Sequence, residues 1–216
     1  MNTEFGTYLV TQGSRSRGRT TEDVVAAAID GGVDIVQLRE KGATARERYH
    51  LGRALREQTR DADVTYLVND RVDIAAAVDA DGVHLGDEDL PIAAARDVLG
   101  AEAIVGRSVS SVEAARHAVQ AGADYLGVGA VYATDSKDVH EEHAEIGTET
   151  VAAIADAVDV PIVGIGGITA ANAPDVIQAG ADGVAVVSAI TVADDPEDAT
   201  RELANAVREA TTSIDR

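Results

Sequence analysis

Short runs of apolar residues alternate along the chain with longer segments that repeat their apolar positions every three or four residues. The short runs are nearly continuous, as expected for parallel strands that are covered on both faces. The longer segments have the period and end signals of helices. The predicted strands are Thr7–Gln12, Asp34–Leu38, Thr65–Asn69, Gly82–Gly86, Ala103–Arg107, Tyr125–Ala130, Pro161–Gly166 and Gly183–Ser188. The predicted helices are Thr20–Gly31, Ala45–Arg60, Pro91–Gly100, Ser111–Gly122, Thr148–Val158, Ala171–Gly180 and Pro196–Thr211.

One short phrase introduces several of these strands. It reads Gly-Gly-Val-Asp at 31–34, Ala-Gly-Ala-Asp at 121–124 and again at 179–182, with a weaker echo at 79–82. Glycine ends a helix in the left-handed conformation, and Asp then turns the chain towards the next strand. Regular units of this kind predict eight strands alternating with eight helices, a (β/α)₈ TIM barrel formed as a single domain by residues 1–216. A doubly wound open sheet is the main alternative.

Composition excludes several classes of protein. The formal net charge is −20, which disfavours binding to nucleic acid because the phosphates would be repelled. There are no cysteines, and therefore no disulfide, thiolate metal site or catalytic thiol. No apolar run is long enough to span a membrane, and the N-terminus lacks a signal-peptide pattern, so we expect a cytoplasmic protein.

The acidity has two interpretations. Abundant Asp, few aromatic residues and only two lysines favour halophilic adaptation, since such a surface stays hydrated when salt screens charge. An ordinary acidic bacterial protein is the alternative.

Active sites of these barrels lie where the strands end, so polar residues there are the candidates. After the second strand, alternation turns Gln37, Arg39 and Lys41 to one side, where they could hold a polyanionic group. A solvated charged loop is the alternative. Both lysines, Lys41 and Lys137, fall in strand-end loops, and a lysine is a compact charge suited to phosphate.

Carboxylates follow the third and fourth strands. Asp70, Asp87, Glu88 and Asp89 gather there, and Mg²⁺ is commonly held by one or two carboxylates with substrate phosphate and water. Because acids are common everywhere in this chain, the cluster by itself is weak evidence. We expect His84 to be an inward barrel residue rather than a metal ligand.

The last strands carry phosphate-binding features. The fifth offers the Ser108 hydroxyl, and a long loop follows the sixth, of which the stretch 138–145 is expected to be a surface excursion. Gly166-Gly167 follows the seventh strand, and the eighth ends near Val187 and Ser188. Loops at these two places often bind phosphate through backbone N–H groups.

In combination these motifs resemble the thiamine-phosphate synthase family over nearly the whole chain. The motifs are Gln-Leu-Arg-Glu-Lys at 37–41, Val-Asn-Asp-Arg at 68–71, Gly-Val-His-Leu-Gly at 82–86 with Glu88-Asp89, the loop 129–137, and Gly-Ile-Gly-Gly-Ile at 164–168. The resemblance implies a transferase that joins the pyrimidine and thiazole halves of thiamine and releases pyrophosphate.

The resemblance also implies a site. Arg39, Lys41 and Lys137 would be catalytic, and Asp70 and Asp89 would hold Mg²⁺ against the diphosphate. The residues expected to contact the two substrates are Gln37, Arg39, Glu40, Lys41, Asn69, Ser108, Thr134, Asp135, Ser136, Lys137, Gly167, Val187 and Ser188.

Three positions depart from the family pattern. Ala130 stands where proline is usual, Ser136 replaces a threonine while keeping its hydroxyl, and Asp87 replaces a common glutamine, which leaves open whether Asp87 also reaches the metal.

Two other functions stay open. One is a thiazole tautomerase-like isomerase, which would not need the cations and metal acids, and the other is a barrel that binds phosphorylated metabolites without catalysis. The expected partners are small molecules, with neither nucleic acid nor membrane, and association into a homo-oligomer is possible. The loop 14–19, which contains Arg15, Arg17 and Arg19, is expected to be solvated, with closure over substrate as the alternative.

Overall fold

The computed structural model describes residues 5–134 and 145–214, and it is a closed barrel of eight parallel strands in chain order. Closure is made by β1 and β8, where Leu9 is in register with Val186, so the open-sheet alternative is wrong. The strands are β1 (Thr7–Val10), β2 (Ile35–Leu38), β3 (Thr65–Asn69), β4 (Gly82–Leu85), β5 (Ile104–Val109), β6 (Tyr125–Gly129), β7 (Ile162–Ile165) and β8 (Gly183–Val186).

Helices surround the barrel, and none in the described part of the chain is both long and apolar enough to cross a membrane. They are α1 (Thr21–Asp30), α2 (Ala45–Asp61), α3 (Val72–Val78), α4 (Ile92–Leu99), α5 (Val112–Gln120), α6 (Gly147–Ala155), α7 (Ala173–Gln178), α8 (Ser188–Thr191) and α9 (Pro196–Ile214).

Three elements differ from the prediction in ways that matter for the site. The short helix α3 was absent from the predicted set, because its seven residues are too few to show a helical period. Strand β5 continues to Val109, so Ser108 lies within it and not after it. Strand β8 stops at Val186, and Ser188 begins the short helix α8.

The core has two parts. A large cluster fills the space between the sheet and the helices, while a smaller one occupies the barrel interior. The interior cluster includes Tyr8, Ile35, Leu67, Tyr125 and Val163, which alternate with outward-facing apolar residues along their strands. The interior is therefore a packed core and not a pore.

The Asp residue of the repeated sequence motif before the strands has the same structural role at all four places where the motif occurs. Each of Asp34, Asp81, Asp124 and Asp182 stands just before an even-numbered strand and accepts the backbone N–H of a residue at the start of the preceding odd-numbered strand. The bonds run from Thr7 to Asp34 (2.7 Å), Tyr66 to Asp81 (2.7 Å), Val105 to Asp124 (2.7 Å) and Ile162 to Asp182 (2.8 Å). They lie at the face opposite the strand ends, where they stabilise the barrel.

Candidate active site

The residues after β2 are fixed by hydrogen bonds to the loop after β1. Thr11 donates its backbone N–H to the carbonyl of Gln37 (2.9 Å), and the backbone N–H of Arg39 donates to Thr11 Oγ1 (3.0 Å). The Gln37 side chain is 3% exposed and turns into the barrel. The β2 end thus presents Gln37 inward and carries Arg39 and Lys41 to the mouth.

Arg48 holds the loop that carries Lys41. Helix α2 begins with a capping box formed by Thr44 and Glu47, which places Arg48 at the end of its first turn. From there Arg48 donates Nε–H to the carbonyl of Glu40 (2.8 Å) and an NH2 proton to the carbonyl of Lys41 (2.7 Å). The backbone on both sides of the Lys41 amide is therefore held from the helix.

The Glu40 carboxylate is engaged within the protein. It accepts the backbone N–H of Gly13 at both oxygens (2.9 and 3.0 Å) and the hydroxyl of Thr21 (3.1 Å). It thereby ties the loop after β1 to the loop after β2, and its predicted contact with substrate stays a prediction. A cavity of about 320 Å³ lies between these loops. It is lined by Gln12, Ser14, Arg39, Glu40, Lys41, Gly42 and Ala43.

Two carboxyl groups from neighbouring strands meet at the mouth. Asp70 has a left-handed backbone (φ 62°), its N–H donates to the carbonyl of His84 (2.9 Å), and Lys41 Nζ lies 3.9 Å from its Oδ2. Asp89 Oδ2 accepts the N–H of Gly86 (2.6 Å). Burial, followed by hydrogen bonding and repulsion from Asp89, raises the pKa of Asp70 to about 6.

This pair suits a divalent cation. Asp89 raises the proton affinity of the Asp70 carboxyl, a cation bound between the two would relieve that repulsion, and Mg²⁺ needs only one or two carboxylates. The described residues contain no group of three or more acidic or His side chains that could hold a metal by themselves, so substrate oxygens and water would have to complete the coordination. Asp87, whose Oδ1 lies 3.0 Å from Arg107, is paired with that guanidinium.

A hydrogen-bonded chain of side chains crosses the barrel beneath the mouth. Gln37 donates Nε2–H to the Tyr8 hydroxyl, and the Tyr8 and Tyr125 hydroxyls are 3.0 Å apart. The Tyr125 hydroxyl is 2.7 Å from His84 Nδ1, and His84 Nε2 is 2.9 Å from Ser108 Oγ. The prediction that His84 is an inward residue is confirmed. The hydrogen-bonded chain links Gln37 to Ser108, which are both predicted substrate contacts.

The opposite side of the mouth is built from the ends of β7 and β8. Gly166 and Gly167 both have positive φ (101° and 64°), and a Cβ on Gly167 would lie 2.5 Å from the carbonyl oxygen of Ala133. Asn172 donates Nδ2–H to the carbonyl of Gly167 (3.1 Å), which fixes the turn. Strands β7 and β8 pair in parallel as far as Ile165 and Ala185, so Val187 and α8 follow β8 beside the Gly-Gly turn, where barrels of this kind often bind phosphate.

Part of the predicted site lies outside the described residues, namely Asp135, Ser136 and Lys137. Thr134 immediately precedes them, and the Gly129–Ala130 peptide bond before it is cis.

The loop 14–19 contacts the loop before α9. Arg17 forms an ion pair with Asp194, and Arg19 donates to the Asp194 carbonyl (2.6 Å). Arg17 and Arg19 are therefore docked on a neighbouring loop of the same face.

Sequence reasoning missed Tyr8, Tyr125 and Arg48. The tyrosines had a signal, because they are two of only six aromatic residues and stand at inward positions of predicted strands. Arg48 had none, since its partners are carbonyl groups that no sequence pattern marks.

A closed (β/α)₈ barrel with cations, paired carboxyls and a Gly-Gly turn at its mouth defines a class, the barrel enzymes that act on phosphorylated small molecules. Similarity to known proteins identifies the family. A family model described as thiamine monophosphate synthase matches residues 7–190. The chain therefore belongs to the thiamine-phosphate synthase family of transferases.

Individual relatives agree. The chain is 67% identical over 207 residues to the thiamine-phosphate synthase of Haloquadratum walsbyi, covering 96% of this chain and 93% of the relative. It is 64% identical over 207 residues to that of Haloarcula marismortui, covering 95% and 98%. A thiamine phosphate pyrophosphorylase structure from Pyrococcus furiosus is 42% identical with a TM-score of 0.87, over 96% of this chain and 98% of that one.

Proposed function

We propose that the protein condenses 4-amino-2-methyl-5-hydroxymethylpyrimidine diphosphate with 4-methyl-5-(2-phosphoethyl)thiazole, giving thiamine phosphate and pyrophosphate. The observation that carries this proposal is the meeting of Lys41 with the Asp70 and Asp89 carboxyls at one side of the mouth, although they come from three different strands. A tautomerase-like isomerase or a non-catalytic phosphate binder has no need for that combination.

The chemistry asks the protein to stabilise a leaving group. Loss of the diphosphate leaves a pyrimidine carbocation, and the thiazole nitrogen attacks it with a lone pair. That nitrogen has no proton to lose, so neither a general base nor a covalent nucleophile is needed. Arg39, Lys41 and Lys137 would stabilise the charge that develops on the departing pyrophosphate, and the barrel would align the two rings.

Asp70 and Asp89 would hold Mg²⁺, which when bound neutralises charge on the diphosphate oxygens. Lys41, whose Nζ lies 3.9 Å from Asp70 Oδ2, would contact the same oxygens from the β2 side. The Gly167 turn, Thr134, Ser136, Val187 and Ser188 would bind the thiazole phosphate from the other side of the mouth, with the two rings between these groups.

The direct test is product formation from the two purified substrates at high salt, followed by chromatography. We expect thiamine phosphate and pyrophosphate in equal amounts, and only when Mg²⁺ is present. Absence of product with both substrates and Mg²⁺ would contradict the proposal, and equal product after chelation would contradict the metal's role.

A variant separates the two sides of the site. Lys137→Ala should lower the coupling rate steeply, by about 30- to 1000-fold, as removal of one preorganised charge-stabilising group does. Binding of the thiazole phosphate, measured by calorimetry, should stay within about 2-fold. Equal loss of both would show that Lys137 belongs to the thiazole phosphate side instead.

We also propose that the acidic surface is a halophilic adaptation, supported by the net charge of −20 and the scarcity of lysine. Salt screens repulsion between like charges, so the melting temperature should rise between low and molar KCl. Sucrose at matched osmolality serves as a control for non-ionic effects, and a flat response to KCl would contradict the proposal. Cytoplasmic location and association into homo-oligomers stay predictions.

A further inference from the structure

The chain of five polar side chains inside the barrel joins five different strands. Gln37, Tyr8, Tyr125, His84 and Ser108 come from β2, β1, β6, β4 and β5, in that order along the hydrogen bonds. Both tyrosines are at most 1% exposed, whereas Ser108 is only partly buried. The chain therefore runs from a buried amide to a hydroxyl that is open to the mouth.

Two glycines make room for this chain. A Cβ on Gly106 would lie 2.2 Å from the Tyr125 ring, and one on Gly127 would lie 2.8 Å from His84 Cε1. Real Cβ atoms essentially never approach other atoms so closely. The sequence of β5 and β6 is thus built around the rings of Tyr125 and His84.

The hydrogen bond from Gln37 to Tyr8 determines which atom is the donor in each of the other hydrogen bonds of the chain. Because Gln37 donates to Tyr8, the Tyr8 proton has the Tyr125 oxygen as its acceptor. Tyr125 must then donate to His84 Nδ1, which has to carry a lone pair. The imidazole proton consequently lies on Nε2 and is donated to Ser108 Oγ, so the Ser108 proton points away from the chain.

With Gln37 as the donor to Tyr8, other proton arrangements leave a buried group unsatisfied. A His84 with protons on both nitrogens would donate to Tyr125, Tyr125 would donate to Tyr8, and the Tyr8 proton would have no acceptor among the described residues. An unpaired buried hydroxyl is costly.

We propose that Tyr125 and His84 are positioning residues that hold Ser108 as a hydrogen-bond donor towards the barrel mouth, where it meets an acceptor atom of the substrate. Neither residue touches substrate itself. The direction of the chain is a property of the protein alone, whereas the effect on turnover rests on the proposed function, in which Ser108 contacts the pyrimidine diphosphate.

The direction can be measured without substrate. Long-range ¹H–¹⁵N spectra report which imidazole nitrogen carries the proton, and His84 can be assigned through its contact with the ring of Tyr125, whose centroid lies 5.4 Å away. We expect a neutral ring protonated at Nε2 at pH 7. In Tyr125→Phe the donor to Nδ1 is lost, and we expect a mixture of both tautomers.

The control is Tyr66→Phe. It removes the same group from another buried tyrosine, whose hydroxyl has no hydrogen-bond partner among the described residues, and it should leave the His84 signals unchanged. A wild-type His84 protonated at Nδ1 or at both nitrogens would overturn the proposal, and so would an unchanged tautomer in Tyr125→Phe. If Tyr125→Phe does not fold, the wild-type spectrum alone decides.

Kinetics test the consequence for Ser108. Tyr125→Phe should lower kcat/KM for the pyrimidine diphosphate about 5-fold, the equivalent of one ordinary hydrogen bond, with KM for the thiazole phosphate unchanged. In a Ser108→Ala background the same change should cost less than about 2-fold, because the effect passes through Ser108.

The two proposals fail in different ways. Equal losses in both backgrounds would show that Tyr125 acts by general packing, which overturns the positioning role. If the wild-type protein formed no thiamine phosphate, the proposed function would fall, and the tautomer measurement would still confirm or refute the direction of the chain.

Discussion

Replacing Gly106 by alanine tests whether the Tyr125 ring is as closely confined as the structure shows. The added methyl carbon would lie 2.2 Å from Cε1 and Cζ of Tyr125 and 2.5 Å from its hydroxyl oxygen. Tyr125 is fully buried and contacts Phe5 and Tyr8, with ring centroids at 4.9 and 6.3 Å, so the ring has little space to move. The substitution must therefore displace the ring and break its hydrogen bonds.

The expected cost follows from these contacts. Overpacking of a dense core costs about 1–3 kcal/mol, and loss of the two hydrogen bonds of Tyr125 adds about 1 kcal/mol each. Replacing glycine also lowers the entropy of the unfolded chain, which stabilises the folded state by about 0.5–1 kcal/mol. The net loss in the free energy of unfolding is about 3 kcal/mol, equivalent to about 6–12 °C in melting temperature for a domain of this size.

The assay is thermal and urea denaturation followed by circular dichroism in constant KCl. Gly42→Ala is the matched control, because a Cβ there would have no atom of another described residue within 4 Å apart from its two chain neighbours, and its stability should stay within about 0.5 kcal/mol of the parent. In a Tyr125→Leu background, Gly106→Ala should cost less than about 1 kcal/mol, since the clashing ring is gone. Equal costs in both backgrounds, or a melting temperature unchanged in the single variant, would refute the reasoning.

Three further predictions concern the mouth and the opposite face. Since the pKa of Asp70 is raised to about 6, its carboxyl is mostly protonated at pH 5, and Mg²⁺ affinity measured by calorimetry should be about tenfold lower there than at pH 7; Asp70→Asn should abolish that difference. Arg48→Met should raise KM for the pyrimidine diphosphate about 5-fold by releasing the Lys41 loop. The control Arg46→Met, at an exposed residue, should leave that KM unchanged. An equal rise in KM in both variants would contradict the role of Arg48 in holding the Lys41 loop. Asp124→Ala should lower the free energy of unfolding by about 1.5 kcal/mol with kcat at 25 °C unchanged, and reduced turnover by a fully folded variant would count against a purely structural role.

The barrel fold was predictable because the same sequence pattern recurs in each of its units. Near-continuous apolar strands and recurring helix ends occur many times along the chain, so one ambiguous unit does not change the fold. Helix α3 and the end of β8 were not predictable in the same way. The seven residues of α3 are fewer than two helical periods, and the Val-rich end of β8 looks like strand although its last residues turn into α8.

The site was predictable only in part, because strand order brings residues together while their partners decide what they do. Strand ends put Arg39, Lys41 and Asp70 at one face of the barrel. That Glu40 would turn to Gly13 depends on the path of a neighbouring loop, which no local pattern specifies.

The four Asp-to-strand bonds at the bottom of the barrel divide it into four ribbons of two strands each, β1–β2, β3–β4, β5–β6 and β7–β8. Every one of these bonds lies inside a ribbon, so a break in the chain between ribbons severs none of them. A cut at Gly100, between α4 and β5, would give two halves with two intact bonds each. Arg96 in the first half would still donate a hydrogen bond to the carboxylate of Asp124 in the second half, at 2.6 Å. The barrel is therefore organised as two halves of like construction, with an ion pair already in place to rejoin them.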